Sequence, residues 1–167
     1  GGSLLLQSGS SNEGIGGSVR IAAGSSASST GGSATLGSGA SELGDSGDVM
    51  VSSGPSGALS GSILIETGSA NVAGGVNVIA GESSGSCGGN ICAQAGATPR
   101  GTGGYVDLTG GDGVSGGNVI LTGGIGNELD GGDLLLASGL GATGSSGKFS
   151  IASSDSGGQS GSVKLST

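Results

Sequence analysis

Residue types that usually carry catalysis are sparse in this chain. Its 167 residues include no histidine, so the commonest general base and metal ligand is missing. Only Asp130 and Asp133 have a spacing that suits the carboxylate pair of a glycosidase, whose groups lie about 5 to 10 Å apart. A solvated loop edge accounts for these two acids better. We expect no enzymatic activity, no catalytic residue and no metal site.

One glycine motif and one pair of cysteines could also carry chemistry. Residues Gly111 to Gly116 read G-x-G-x-x-G, but no helical pattern follows them, and a glycine-rich chain produces this spacing by chance. We therefore expect no cofactor and no small-molecule ligand. Cys87 and Cys92 flank a predicted corner, where a regular path separates their Cα atoms by more than the roughly 7 Å that a disulfide spans. An irregular path would allow a bridge, so both redox states stay open.

Composition excludes several classes of partner. Tyr105 and Phe149 are the only aromatic residues, too few to form a stacking platform for sugars or bases. The net charge of -8 gives no electrostatic attraction to the phosphate backbone of a nucleic acid. No run of about 18 apolar residues occurs. We expect neither a nucleic-acid partner nor a membrane span.

A tandem repeat organises the whole sequence. A glycine recurs at short, nearly constant intervals and is followed by alternating aliphatic residues, as in GGSVRIAAG, GGNVILTGG and GGDLLLASG. These constant glycines occupy the second place of each repeat and are predicted corners: Gly2, Gly17, Gly32, Gly47, Gly61, Gly74, Gly89, Gly104, Gly117, Gly132, Gly147 and Gly161. Units with a short fixed period bury their apolar faces only against their neighbours. The sequence therefore predicts one stacked domain over residues 1–167.

The fourth and sixth places of each repeat are aliphatic, as at Val49 and Val51. Residues two apart share one face of a strand, so both places are predicted to point inward. Small residues at the eighth and eleventh places and glycine at the ninth predict a second corner and a thin tube, because sharp corners need backbone angles that a side chain forbids. The predicted fold is all-β, a single-stack parallel β-solenoid (flattened β-helix) of about 11.5 coils of 13–16 residues.

The GG-x-V-x-I-x-A-G unit resembles the coils of Gly/Ser-rich parallel β-solenoids over the whole chain. Such coils occur in large bacterial adhesins of the filamentous haemagglutinin kind, in phage fibre proteins and in very long extracellular proteins of algae. The resemblance implies an extended structural or adhesive role. It also implies an extracellular location or one at a cell or virion surface.

Large apolar residues at the fifth place would point outward from the predicted strand. Patches of exposed apolar residues usually mark contact with another chain. Together with two residues at the tenth place they form a predicted lateral packing interface: Leu5, Met50, Leu64, Ile120, Leu135, Ile125 and Leu140. Alternatively, a loop covers these residues, or they are exposed to solvent without a partner.

These features predict a structural segment of an extracellular fibre or surface appendage. Its expected partners are other copies of itself or adjoining repeats, in axial and lateral contact. An ice-binding solenoid is one alternative, and a polysaccharide-binding or polysaccharide-cleaving β-helix is another. Neither end carries a polar or bulky cap. We therefore expect either a portion of a longer repeat protein or a protomer that stacks end to end.

Overall fold

The computed structural model of the chain describes residues 1–166, and Thr167 lies outside the described part. The described residues contain no α-helix and no β-strand. The predicted all-β parallel β-solenoid, or β-helix, is therefore wrong for the single chain. Each repeat instead combines an irregular apolar segment, which we define as its third to seventh places, with a bent loop. The loops bend at residues 12–14, 27–29, 42–44, 57–58, 71–72, 84–86, 99–101, 113–115, 127–129, 142–144 and 157–158.

The chain divides into two compact units, Gly1–Val78 and Ile79–Thr167. The first holds five repeats and the beginning of a sixth, and the second holds the rest and is described as far as Ser166. The division falls inside the apolar segment of the sixth repeat and so does not follow a repeat boundary. The single domain over residues 1–167 stays a prediction.

A backbone hydrogen bond closes the loop of most repeats. The N–H of a constant glycine donates to the carbonyl of the ninth-place glycine in the preceding repeat, as Gly17 does to Gly9 at 2.8 Å. We call this junction the loop neck. Seven further necks of 2.8 to 3.1 Å join Gly32 to Gly24, Gly47 to Gly39, Gly89 to Gly81, Gly104 to Gly96, Gly117 to Gly111, Gly132 to Gly124 and Gly147 to Gly139.

The loop neck gives the physical reason why the solenoid prediction fails. In a stacked solenoid the constant glycines of successive coils lie side by side, about 4.8 Å apart. Here the constant glycine of each closed neck lies against the far end of the preceding apolar segment, and seven extended residues would separate the two ends of that segment by roughly 23 Å. Consecutive segments within a unit therefore follow one another across the neck. Contacts between residues a full repeat apart are accordingly sparse.

Neck closure follows loop length in all but one repeat. Most repeats have the same full length, and every full-length repeat closes its neck. In the described part, the repeats that are shorter by one do not bond Gly61 or Gly161 to the preceding ninth place. Successive N–H groups of an extended backbone point to opposite sides, so one missing residue turns the donor away. Of the two repeats that are shorter by two, the one that ends at Ser115 closes through Gly117 and Gly111, and the other does not close in the described part.

The eleventh place shapes the loop, and its predicted position inside a tube is wrong. Ser11 Oγ accepts a hydrogen bond from Gly14 N at 2.8 Å, and Ser26 and Ser41 accept in the same way from residues three positions later. Ser56, Ser83, Thr98 and Ser156 accept from the N–H two positions later, at 3.0 to 3.4 Å. Such short hydroxyl-to-backbone bonds hold tight turns.

Glycine replaces that hydroxyl in three later repeats and permits a tighter path. A Cβ on Gly126 would collide with the carbonyl oxygens of Leu129 and Asp130, and Gly141 is enclosed by carbonyls in the same way. Ala70 supplies neither a hydroxyl nor the freedom of glycine. It belongs to the other repeat that is shorter by two, whose neck between Gly68 and Gly74 does not close in the described part.

Close approach explains the constant glycine at the tightest necks. No glycine in residues 1–166 has a positive φ, so the predicted need for special backbone angles is wrong. A Cβ on Gly17 would lie 3.1 Å from Ser8 Cβ and 3.2 Å from Gly9 N, closer than ordinary contact. The Ser8 hydroxyl donates to the Gly17 carbonyl at 2.8 Å and tightens the same neck. Any side chain at this place would push the neck apart.

The matched substitutions Gly17→Ala and Gly9→Ala test this account. We expect Gly17→Ala to weaken the neck by about 1 kcal/mol, the net value of one hydrogen bond. A Cβ on Gly9 meets nothing within 4 Å, so Gly9→Ala keeps the neck. The measurement is the scalar coupling by NMR between the residue 17 nitrogen and the residue 9 carbonyl carbon. Equal loss of the coupling in both variants would contradict the role of close approach.

Ser11→Ala should open the first loop, because Gly14 N loses its acceptor. The expected cost is about 1 kcal/mol of loop closure. Ser11→Thr should preserve the turn, since Thr98 occupies the equivalent place and also accepts a backbone N–H. The temperature coefficient of the Gly14 amide proton reports the change, and Ser10→Ala is the neighbouring control. A coefficient that stays constant in Ser11→Ala would show that the hydroxyl does not hold the turn.

Candidate interaction surface

The described chain has no hydrophobic core. None of its hydrophobic side chains is buried, and its accessible area is 16553 Å². A folded monomer of 15.0 kDa exposes about 7,000 Å², and its unfolded chain about 22,000 Å². The single chain thus exposes roughly 9,500 Å² more than a globular protein of the same mass. This excess area is the most prominent functional feature of the molecule.

The best-shielded residues lie at the loop necks. Most of the half-buried residues occupy the eighth place, and these are Ser8, Ala80, Ala95, Gly110 and Gly123. Gly141, at an eleventh place, is also half-buried. The residues of the single chain that are best shielded from solvent therefore lie at the necks. They are not the fourth-place and sixth-place aliphatic residues that the sequence predicts as core.

Exposure nevertheless alternates along some of the apolar segments. In the segment around residue 120, Val119 and Leu121 are 53% and 55% exposed, while Ile120 between them is 78% exposed. The next segment repeats this alternation, with Leu135 more exposed than either neighbour. A period of two is the signature of residues that share one side of an extended backbone. In these two segments the fourth and sixth places thus share one apolar side that remains about half open to solvent.

All seven residues of the predicted lateral interface are exposed, at 76% to 92%. Met50 and Leu64, which belong to this predicted interface, are 86% and 76% exposed, so the structure does not bring them into buried contact. The pair Ile120 and Leu135 is open in the same way. Their role in packing stays a prediction.

Exposed aliphatic residues also stand in the loops, and the sequence reasoning missed them. They lie between an eleventh place and the next constant glycine: Ile15, Leu43, Leu59, Val72, Val114 and Leu129. Each has at least 87% of its surface exposed. An isolated large aliphatic in an otherwise small and polar loop was the available signal. The loops therefore add apolar area to the surface.

The residues considered for chemistry do not converge. No cavity and no metal-holding group of His, Cys, Asp or Glu occurs among residues 1–166. Gly111 accepts the neck bond from Gly117, so the G-x-G-x-x-G stretch belongs to a loop. Cys87 and Cys92 are free, exposed thiols.

The part of the chain that the structure describes contains no helix long and apolar enough to cross a membrane. No protein-family model, no curated protein and no solved structure matches the chain. The resemblance to Gly/Ser-rich repeat proteins consequently rests on the repeat unit alone. Function has to be inferred from the exposed surface.

Proposed function

We propose that this chain is a self-assembling, non-catalytic structural segment of an extracellular fibre or surface appendage. The observation that carries the proposal is the exposure of its large aliphatic side chains throughout residues 1–166. Removing apolar area from water stabilises a structure by about 25 cal/mol per Å². The single chain gains little of this stabilisation. Contact with further chains would supply it.

The energetics of one repeat support the same conclusion. Ordering the backbone costs about 1–2 kcal/mol per residue, and glycine loses more freedom than any other residue. One neck bond returns a net stabilisation of only about 1 kcal/mol. A full-length repeat orders its entire backbone around one such bond. The regular loop geometry therefore needs a further source of stability, which association provides.

Repetition makes the exposed surface suitable for a fibre. The same order of apolar and small places recurs in twelve repeats, so a contact that forms at one repeat can form again at the next. The resemblance of the repeat unit to fibre and adhesin proteins points to an extracellular setting. Copies of the same chain and adjoining repeats are the proposed partners.

Electron microscopy of the purified chain tests the proposal directly. We expect filaments or lateral bundles whose amount rises with protein concentration. Light scattering across the same concentrations measures the amount of assembly. A monomer that stays dispersed at high concentration would contradict the proposed function.

Replacing lateral apolar residues should reduce bundling. We expect the double substitution Leu64→Ser and Leu135→Ser to lower the scattering from bundles several-fold, because both side chains are exposed at the predicted lateral interface. Thr35→Ser changes a polar residue at the same fifth place and is the matched control. Equal bundling of the double variant and the control would exclude these residues from the lateral contact.

Salt should strengthen assembly. Each chain carries a net charge of -8, so copies repel one another. Raising the ionic strength from about 0.01 M to 0.15 M shortens the screening length from about 30 Å to about 8 Å. We expect the lowest assembling concentration, measured by sedimentation, to fall as NaCl is added. Dissolution by salt would instead indicate that ion pairs hold the chains together.

A further inference from the structure

We infer that the partners of the apolar segments are the same segments of other copies of this chain, aligned in parallel and in register. The inference rests on the proposed self-assembly and names its partner and its geometry. In such an assembly the fourth-place and sixth-place residues of several chains form the core that one chain lacks. The apolar segments then pair between chains.

Unpaired backbone groups are the first observation behind this inference. Folded proteins contain about one internal hydrogen bond per residue. The described residues make eight between backbone groups and nine that involve a side chain. Shielding backbone donors and acceptors in apolar surroundings without hydrogen-bond partners costs free energy. Burying the apolar segments therefore requires hydrogen-bond partners for their backbones.

In the described residues, neighbouring segments of the same chain do not supply those partners. The neck places the start of one segment against the end of the previous one, and no backbone hydrogen bond of the described residues joins consecutive segments along their length. A segment from another chain can supply the missing partners. Strands pair at a spacing of about 4.8 Å, which a second copy can reach along a whole segment.

The exposed area indicates that each chain contacts more than one other copy. A standard interface buries about 800 Å² on each partner. The excess exposure of this chain is roughly ten times larger. One ordinary two-chain contact would leave most of this excess area in water.

Irregular repeat lengths favour identical copies in register. Most repeats have the full length, but the fourth and the eleventh are shorter by one, and the fifth and the eighth are shorter by two. In a parallel, in-register assembly each short repeat meets its own counterpart, and every apolar segment stays aligned. Antiparallel or shifted copies would place short repeats against long ones. A different protein would need the same series of lengths to fit.

Spin labels on assembled chains test the register. Cysteine is introduced singly by Ser18→Cys or Ser150→Cys in a background that carries Cys87→Ser and Cys92→Ser. Parallel in-register copies place each nitroxide beside its counterpart on neighbouring chains, at a backbone spacing of about 5 Å. We expect strong spin-spin broadening at both sites. Mixing with an excess of unlabelled chain before assembly should remove the broadening.

An antiparallel assembly gives a different spectrum. Neither label would then broaden by itself, whereas a mixture of chains labelled at position 18 with chains labelled at position 150 would. That result overturns the inference, and so does an assembled sample without broadening at either site. A small, defined oligomer that shows same-site broadening but forms no filament supports the inference and contradicts the fibre. A monomer at high concentration contradicts both.

A matched pair of substitutions tests whether the sixth place forms the core between chains. Val78→Asp would place a carboxylate in that core, whereas Asn77→Asp adds the same charge at the adjacent fifth place. We expect Val78→Asp to raise the dissociation constant, measured by sedimentation equilibrium, by about tenfold or more, and Asn77→Asp by less than about threefold. Equal effects of the two variants would overturn the assignment of the core.

Discussion

A single backbone hydrogen bond, repeated along the chain, organises this structure. It runs from the N–H of a constant glycine to the ninth-place carbonyl before it, as between Gly132 and Gly124 at 2.9 Å. Because it joins the end of one apolar segment to the start of the next, it is incompatible with the side-by-side starts of successive segments that a solenoid requires. The small eighth place lies at this neck, and the ninth place supplies the acceptor carbonyl. The hydroxyl or glycine at the eleventh place shapes the loop that the neck closes. Their recurrence along the repeats has a local cause.

The neck leaves the aliphatic residues at the fourth and sixth places exposed to solvent. A repeat that closed on its neighbours would bury Val119 and Leu121, but here both remain more than half exposed. Local hydrogen bonds and small residues shape the loops, and the hydrophobic effect contributes little within one chain. This separation of local shape from apolar burial is a property expected of a chain that completes its structure by association.

Glycine has a different part in this molecule from the one its abundance indicates. The 44 glycines do not produce left-handed backbone angles anywhere in residues 1–166. They matter where two stretches of backbone approach closely, as at Gly17, or where a loop turns against its own carbonyls, as at Gly126. Elsewhere, as at Gly9, the space around the missing side chain is open. Where a neck closes, the constant glycine is thus a contact residue of that neck.

The amino-acid sequence by itself determined the repeat and its places. A period of two in residue type predicted the common side of the fourth and sixth residues, and the exposures around Ile120 and Leu135 follow it. It also indicated the seven exposed residues that include Met50 and Leu64, although their contacts are untested. It did not determine how repeats join, since a short glycine period is compatible with stacking and with loops closed on themselves. Only the tertiary structure decided between them. The Gly17 N–H finds its acceptor on Gly9, and that one choice removes the sheet on which the solenoid prediction depended.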